Sequence, residues 1–456
     1  MIQSLYPLSD SSSLILDRPM DILSRLYRLP TGRFHYTLLG LIGVGWLFDA
    51  MDTGLVSFVL PTLSQQWQLT PAQSGWIVSV AFVGMALGAV ASGWAADRFG
   101  RSNVFVGTMV LYSIATGLCA LSPSLPILLF CRFWVGFGLG GQLPVAVSLV
   151  SEFAPPAVRG RLIVLLESFW GLGWLAAALA SWGFIPHFGW HSAFWIGALP
   201  IFYALWKKLP ESVPYLLARG QVDEAHALVS RLEAQAGLPV VAEAVVAATA
   251  PHEPIRFGQL WKPPFARRTL MLWLIWFGIV FSYYGIFTWL PKLLVEQGHT
   301  VVKTFEYMLV MILAQLPGYF SAAVLVERIG RKATLASFLF ACAACAWFFG
   351  QAATPTAILL WGSLMSFFNL GAWGVLYTYT PELYPVRFRA FGSGWAGAIG
   401  RIGGIVAPLA VAALVGGANG FAHIFGMFTA VLLAVVVTIL VLGEETRGRS
   451  LEDISD

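Results

Sequence analysis

Apolar stretches of about 20 residues, the length that crosses a bilayer as helix, recur throughout the chain. They lie near 37 to 60, 75 to 96, 103 to 121, 126 to 151, 161 to 185 and 191 to 206. A polar stretch over 207 to 268 follows, and six more apolar runs come near 269 to 291, 305 to 326, 333 to 350, 355 to 380, 390 to 415 and 420 to 442. Lipid cannot satisfy open backbone groups, so each run is expected to be a helix, and the short alternating strands of a membrane barrel are absent. The fold class predicted is all-α, with twelve transmembrane helices in two six-helix bundles. The divisions are an N-tail to residue 35, a first bundle over 36–206, a linker over 207–268, a second bundle over 269–442 and a C-tail over 443–456. Within the linker, QVDEAHALVSRLEAQAG reads as a helix with a glycine stop.

Composition agrees: of 456 residues, 58% are hydrophobic and 11% charged, against about a quarter charged in soluble proteins. Of 27 lysines and arginines, 23 fall in the tails or in the loops on the same side as the tails. Two, Lys292 and Lys303, fall on the opposite side, and two, Arg132 and Arg401, lie within spans. The positive-inside rule then places both termini in the cytoplasm. The net charge of +4 is a product of this topology and gives no sign of nucleic-acid binding. Cys119, Cys131, Cys342 and Cys345 all fall in spans, where packing outweighs metal or redox chemistry. The amphipathic MDILSRLYRL near the start lacks the small-residue cleavage site of a signal peptide.

Two motifs recur at one offset. Asp97, Arg98, Gly100 and Arg101 are matched in the second half by Glu327, Arg328, Gly330 and Arg331. Glu152, Pro155 and Arg159 are matched at the same offset by Glu382, Pro385 and Arg389. A shared offset argues for duplicated halves, and parallel repeats of this kind place a substrate near mid-membrane between them. Carboxylates at helix ends facing arginines of the next loop are expected to latch the cytoplasmic side.

GWAADRFGR, RFWVGFGLGG, PESVPYLL and EETRG together resemble the sugar-porter branch of the major facilitator superfamily, over residues 35 to 446. More narrowly, GWLFDAMDTG, LLESFWGLGWLAAAL, FSYYGIFTWLP, AQLPGYFSAA and SFFNLGAWGVLYTYTPELYP resemble the bacterial niacin permeases, relatives of the synaptic vesicle glycoprotein 2 family. The resemblance implies a proton-coupled importer of nicotinate in the cell inner membrane. Asp52 matches the first-helix aspartate of sugar porters. The vesicle-protein relatives line their cavity with aromatics at the positions of Trp170, Tyr283, Tyr284 and Trp373, and carry an aspartate where this chain has Tyr377.

Charges inside spans cost about 2.5–3.5 kcal/mol each on insertion scales, so they need partners or a task. At about 1.5 Å per residue, Asp52 and Arg132 occupy similar depth, with Asp49 one turn away and Glu167 nearer the cytoplasm. These four are the expected proton-coupling set, against the alternative of a permanent ion-pair network. For the substrate, an aromatic slot of Trp170, Tyr283, Tyr284 and Trp373 suits a flat pyridine ring. Asn369 and Tyr377 are expected hydrogen-bond donors, and Arg401 can grip a carboxylate with two parallel bonds. His423 is taken as structural, and the Gly136, Gly138, Gly140 and Gly141 run as close helix packing, since the GK[ST] ending of a phosphate loop is missing.

No span or loop supplies a nucleophile with its base, or a metal cluster, so neither enzyme chemistry nor a cofactor or metal is expected. The partners expected are nicotinate, protons and the bilayer, with the chain acting as a monomer. A benzoate-like acid as the substrate, or transport as a uniporter, stays open at this stage. The aromatic midplane disfavours a sugar.

Overall fold

The computed structural model describes residues 21–156, 158–206, 209–238, 257–417 and 419–447. A short α1 (Ile22–Tyr27) precedes the first half: α2 (Arg33–Gln66), α3 (Pro71–Phe99), α4 (Arg101–Ala120), α5 (Leu125–Phe153), α6 (Arg159–Phe188), α7 (His191–Gly197) and α8 (Pro200–Trp206). Two linker helices follow, α9 (Val213–Ala218) and α10 (Val222–Gln235). The second half comprises α11 (Phe265–Glu296), α12 (Val301–Ile329), α13 (Arg331–Phe349), α14 (Pro355–Glu382), α15 (Val386–Val415) and α16 (Gly420–Leu442).

Among the described residues eleven helices are long and apolar enough to span a membrane, and the sixth span, expected as one run, is instead broken into α7 and α8. Pro200 has no N–H to give the Ile196 carbonyl. That carbonyl takes Leu199 N at 3.1 Å, and Ile201 N bonds Ala198 O at 3.3 Å, so the chain tightens into a turn. Just before the break, a side chain at Gly197 would lie 2.9 Å from Asp52 Oδ1, so the bare glycine lets α7 close over that carboxylate.

The duplication extends into local structure. Thr70 caps α3 and Thr300 caps α12 at matching positions of the repeat, accepting from the backbone N–H of Gln73 and of Lys303. Within each half, α2 packs on α6 and α3 on α5, repeated as α11 on α15 and α12 on α14. The α5 glycines seat this packing. A side chain at Gly138 would strike Tyr112 and Thr108 of α4, and one at Gly141 would lie 2.9 Å from Ser92 of α3, which leaves room only for helix-on-helix contact.

The halves meet through α3 with α15, α2 with α11 and α6 with α12. The end where α2 begins and α16 ends is the terminal face. Hydrogen bonds and ring contacts between the halves gather at mid-depth and toward the opposite face. They include Trp170 Nε1 to Tyr283 OH at 3.2 Å, Ser79 Oγ to Ile405 O at 2.8 Å, Lys292 Nζ to Ser74 Oγ at 2.7 Å, and Phe58 against Phe305 at 5.1 Å. The opposite face is therefore the closed one.

Candidate transport site

At mid-depth, aromatic rings from both halves form one continuous cluster. Trp46 meets Trp170 at 5.0 Å, and Trp170 meets Tyr284 edge-on at 6.4 Å. Tyr284 in turn meets Phe82 at 4.6 Å, and Tyr283 meets Trp373 at 5.7 Å. Trp276 closes the second half's side, 5.7 Å from Trp373 and 5.5 Å from Tyr377. Edge-to-face geometry predominates, the arrangement favoured by ring quadrupoles.

Arg401 stands among these rings. It is half-buried, and among the described residues none of its nitrogens takes part in a hydrogen bond or ion pair; the titratable groups within electrostatic reach are the phenols of Tyr377 and Tyr284 and the carboxyl of Asp49. A guanidinium in such a place, with five donors and no acceptor bound to it, is built to receive a planar anion. Glu167 is buried beside Trp46 and within electrostatic reach of Tyr319 and Tyr377. Sequence reasoning thus located Trp170, Tyr283, Tyr284, Trp373, Tyr377 and Arg401 in one cluster. Asn369 lies one helical turn before Trp373 on α14, fully buried, and among the described residues neither atom of its amide has a hydrogen-bond partner.

A second group lies inside the first half. Arg132 Nη1 stands 3.5 Å from Asp52 Oδ2, and Thr116 donates to Asp52 Oδ1 at 2.7 Å. Asp49 is buried with Oδ1 unbonded, and Tyr112 of α4 lies in reach of both aspartates with its own hydroxyl unbonded. Arg132 and both aspartates are almost wholly enclosed, so any change in their charge must be answered by movement or by a proton.

The charged motifs form two matching knots on the terminal face. Arg101 pairs with Asp97 at 3.2 Å and Glu152 at 3.3 Å. Arg331 pairs with Glu382 at 3.0 Å and reaches Glu327 at 3.8 Å. Each knot closes within its own half. Among the described residues Arg98 and Arg159 pair with no carboxylate: Arg98 lies over the Trp94 ring at 5.5 Å and Arg159 over Tyr27 at 5.5 Å. Arg389 donates to Pro381 O at 3.0 Å, and the Arg328 carbonyl accepts from Arg447.

Several contributors were not singled out from sequence. Glu211 accepts from the backbone N–H of Arg101 at 2.8 Å, and Glu445 from that of Arg331 at 2.8 Å. Glu211 thus sits at the positive N-terminal end of α4 and Glu445 at that of α13. Both lie in the quoted PESVPYLL and EETRG motifs, which was the available signal. Trp46 and Trp276 occupy matching positions of the repeat, so the same offset could have found the two walls. The offset also separates two kinds of charge. The knot residues obey it, whereas Asp49, Asp52, Arg132 and Glu167 correspond to Ile279, Ser282, Gly362 and Gly397 in the other half, and Arg401 corresponds to Gly171. Duplicated charges keep the two halves alike in shape; unduplicated ones give each half its own chemistry.

A family model described as "Sugar (and other) transporter" matches residues 43–456. A niacin transporter of Acinetobacter baylyi is 63% identical over 437 residues, 95% of this chain and 100% of that protein. A putative niacin/nicotinamide transporter of Bacillus subtilis is 46% identical over 417 residues, 91% of this chain and 97% of that protein. Among solved structures, the inward-open xylose transporter XylE from E. coli superposes with a TM-score of 0.72 at 16% identity, over 92% of this chain and 99% of that one; this likeness concerns the fold. With two duplicated halves of membrane helices and a family match over nearly its whole length, the chain is a transporter and not an enzyme, and belongs to the Sugar (and other) transporter family of the major facilitator superfamily.

Proposed function

We propose that the protein imports nicotinate by alternating access, with proton uptake, across a bacterial inner membrane, and that both termini face the cytoplasm. The observation that carries the substrate reading is Arg401, free of hydrogen bonds and ion pairs among the described residues and set in an aromatic cluster shared by both halves. The pyridine ring lies against Trp170, Tyr284 and Trp373 while its carboxylate takes the guanidinium. The names of the two relatives above support nicotinate over other aromatic acids.

Asp49 is the acid within electrostatic reach of Arg401. A substrate carboxylate arriving there competes for the same cation, and the displaced Asp49, enclosed and with Oδ1 unbonded, is then better held protonated. Substrate and proton arrive together on this account. The Asp52–Arg132 pair is the second titrating element, and Glu167 is the acid nearest the terminal face.

The test is Arg401→Ala in the purified protein. A charge-assisted bond lost from the anion should weaken nicotinate by roughly tenfold or more, with little effect on uncharged nicotinamide as a competitor. An equal loss for both would remove Arg401 from the site.

A further inference from the structure

Lys292 is a cation with no place in the central cluster. It lies near the end of α11 on the closed, opposite face, only 5% exposed. Its ammonium donates to Ser74 Oγ at 2.7 Å, and Ser74 lies 3.1 Å from Ser64 Oγ, so one hydroxyl chain ties α11 to α3 and α2 across the two halves. On its own side Lys292 lies over the Trp289 ring at 5.2 Å and 3.9 Å from Glu296 Oε1. Trp289 is fully buried, and among the described residues its indole N–H has no hydrogen-bond partner. The closure here is tight: a side chain on Gly75, next to Ser74, would lie 3.1 Å from the Pro408 carbonyl of α15.

Lys292 also breaks the repeat. Pro61 and Thr62 of α2 correspond, at the offset the knots obey, to Pro291 and Lys292 of α11. The proline is kept and the threonine has become a lysine, as Gly171 has become Arg401. Two cations therefore mark the second half's side of one path, one at its outer end and one at mid-depth, and each has an indole or phenol ring beside it.

Opening the opposite face separates Ser74 from Lys292, because they belong to different halves. The ammonium then loses its acceptor across the interface and keeps only Glu296, whose side chain is 41% exposed. With Ser74 withdrawn, the ammonium's donors face the opened mouth, where an arriving anion can take the place Ser74 held. We propose that Lys292, with Trp289 beside it, forms an outer recognition site that takes an aromatic monocarboxylate before it descends to Arg401. The carboxylate replaces the Ser74 hydroxyl on Nζ, and the unbonded indole N–H offers a second donor. Closing returns Lys292 to Ser74 and releases the anion inward, so the same ammonium serves first as receiver and then as the outer gate. This rests on the nicotinate reading only for which aromatic acid it receives.

The experiment measures initial uptake by full-length protein in liposomes, with nicotinate and benzoate as labelled anions and nicotinamide as the neutral competitor. Lys292→Gln, whose amide N–H can still donate to Ser74 on closing, should raise the KM for the transported anion about tenfold, the worth of one charge-assisted bond, with kcat and nicotinamide competition changed less than about twofold. Lys292→Arg, which keeps the charge, should recover most of the loss and shows that the fold tolerates change there. Glu296→Gln should lower the KM, since a competing carboxylate has been removed. Added salt should raise the wild-type KM more than that of Lys292→Gln. A fall in kcat at constant KM, equal losses for the anion and nicotinamide, or a raised KM in Glu296→Gln would overturn the proposal. If the wild type carries benzoate and not nicotinate, the nicotinate reading fails while the Lys292 comparison is decided on benzoate.

Discussion

Arg132 Nη1 and Asp52 Oδ2 face each other at 3.5 Å between α5 and α2, while Thr116 holds the other oxygen of the same carboxylate at 2.7 Å. A clamped charge-assisted pair would stand at about 2.7–2.9 Å. The two are thus close enough to neutralise each other and loose enough to part. On the coupling proposed above, a proton arriving on Asp52 in this enclosed site would free Arg132, and its departure would draw the arginine back. The pair would then be a two-state element which a pH gradient can bias.

Asp52→Asn is therefore expected to abolish gradient-driven accumulation of substrate while leaving exchange across the membrane. Arg132 is left as a buried charge without its acid, a loss typically worth about 3–5 kcal/mol, so the variant should also unfold at lower temperature. Paired assays of accumulation and exchange decide the matter; loss of both, or of neither, would mean the pair only holds helices together.

Glu445 and Glu211 each sit at a helix N-terminus, where a carboxylate is worth roughly 0.3–2 kcal/mol. Glu445→Gln and Glu211→Gln should each lower thermal stability by that order. Because they serve separate halves, the double variant should equal the sum to within about 0.5 kcal/mol. Gly330→Ala should cost more than either. Gly330 has φ +95°, in the region that favours glycine, and an added side chain there would run into Glu445. Thermal unfolding in detergent measures all four.

The N-terminal segment is clasped to the linker by one acid. Glu233 of α10 takes Arg25 at 2.6 Å and Arg28 at 2.6 Å, and Arg25 and Glu233 are both fully buried. Burial alone pushes the Glu233 carboxyl up; hydrogen bonds and charge from Arg25 and Arg28 outweigh it and hold the carboxyl below its ordinary value. A depressed acid contributes stability that is complete above the ordinary glutamate pKa of about 4.3 and disappears as pH falls through the lowered value. Protease cleavage between α1 and α2 should thus be slow at neutral pH and rise only in acid. Glu233→Gln should make it fast at every pH; an unchanged rate at neutral pH would show that the clasp does not hold the segment.

Much of this was legible in the chain because membrane helices announce themselves by length and a duplicated chain reports its own symmetry. Asp97, Arg101, Glu152 and their copies were readable as knots from the offset alone. The break at Pro200 was hidden inside an apolar run, since hydropathy does not register a missing N–H. Depth arithmetic put Asn369 at the height of the rings, but that its amide is fully buried with both polar atoms unbonded among the described residues comes from packing, which height along a helix does not carry. Phe82 was lost among 33 phenylalanines, where only the packing of two halves shows which rings meet, and Trp46 and Trp276 went unread although the offset pairs them. Arg401 stood out in the sequence because a lone cation within a half's apolar spans has few bland explanations.

The most direct measurement is uptake of labelled nicotinate by the purified protein in liposomes, with and without an inward proton gradient, competed by nicotinamide, benzoate and glucose. The account predicts gradient-stimulated uptake, competed by close nicotinate analogues and not by glucose. Uptake indifferent to the gradient would contradict the coupling assigned to Asp52 and Asp49, and absence of nicotinate uptake, or stronger competition by benzoate, would contradict the substrate.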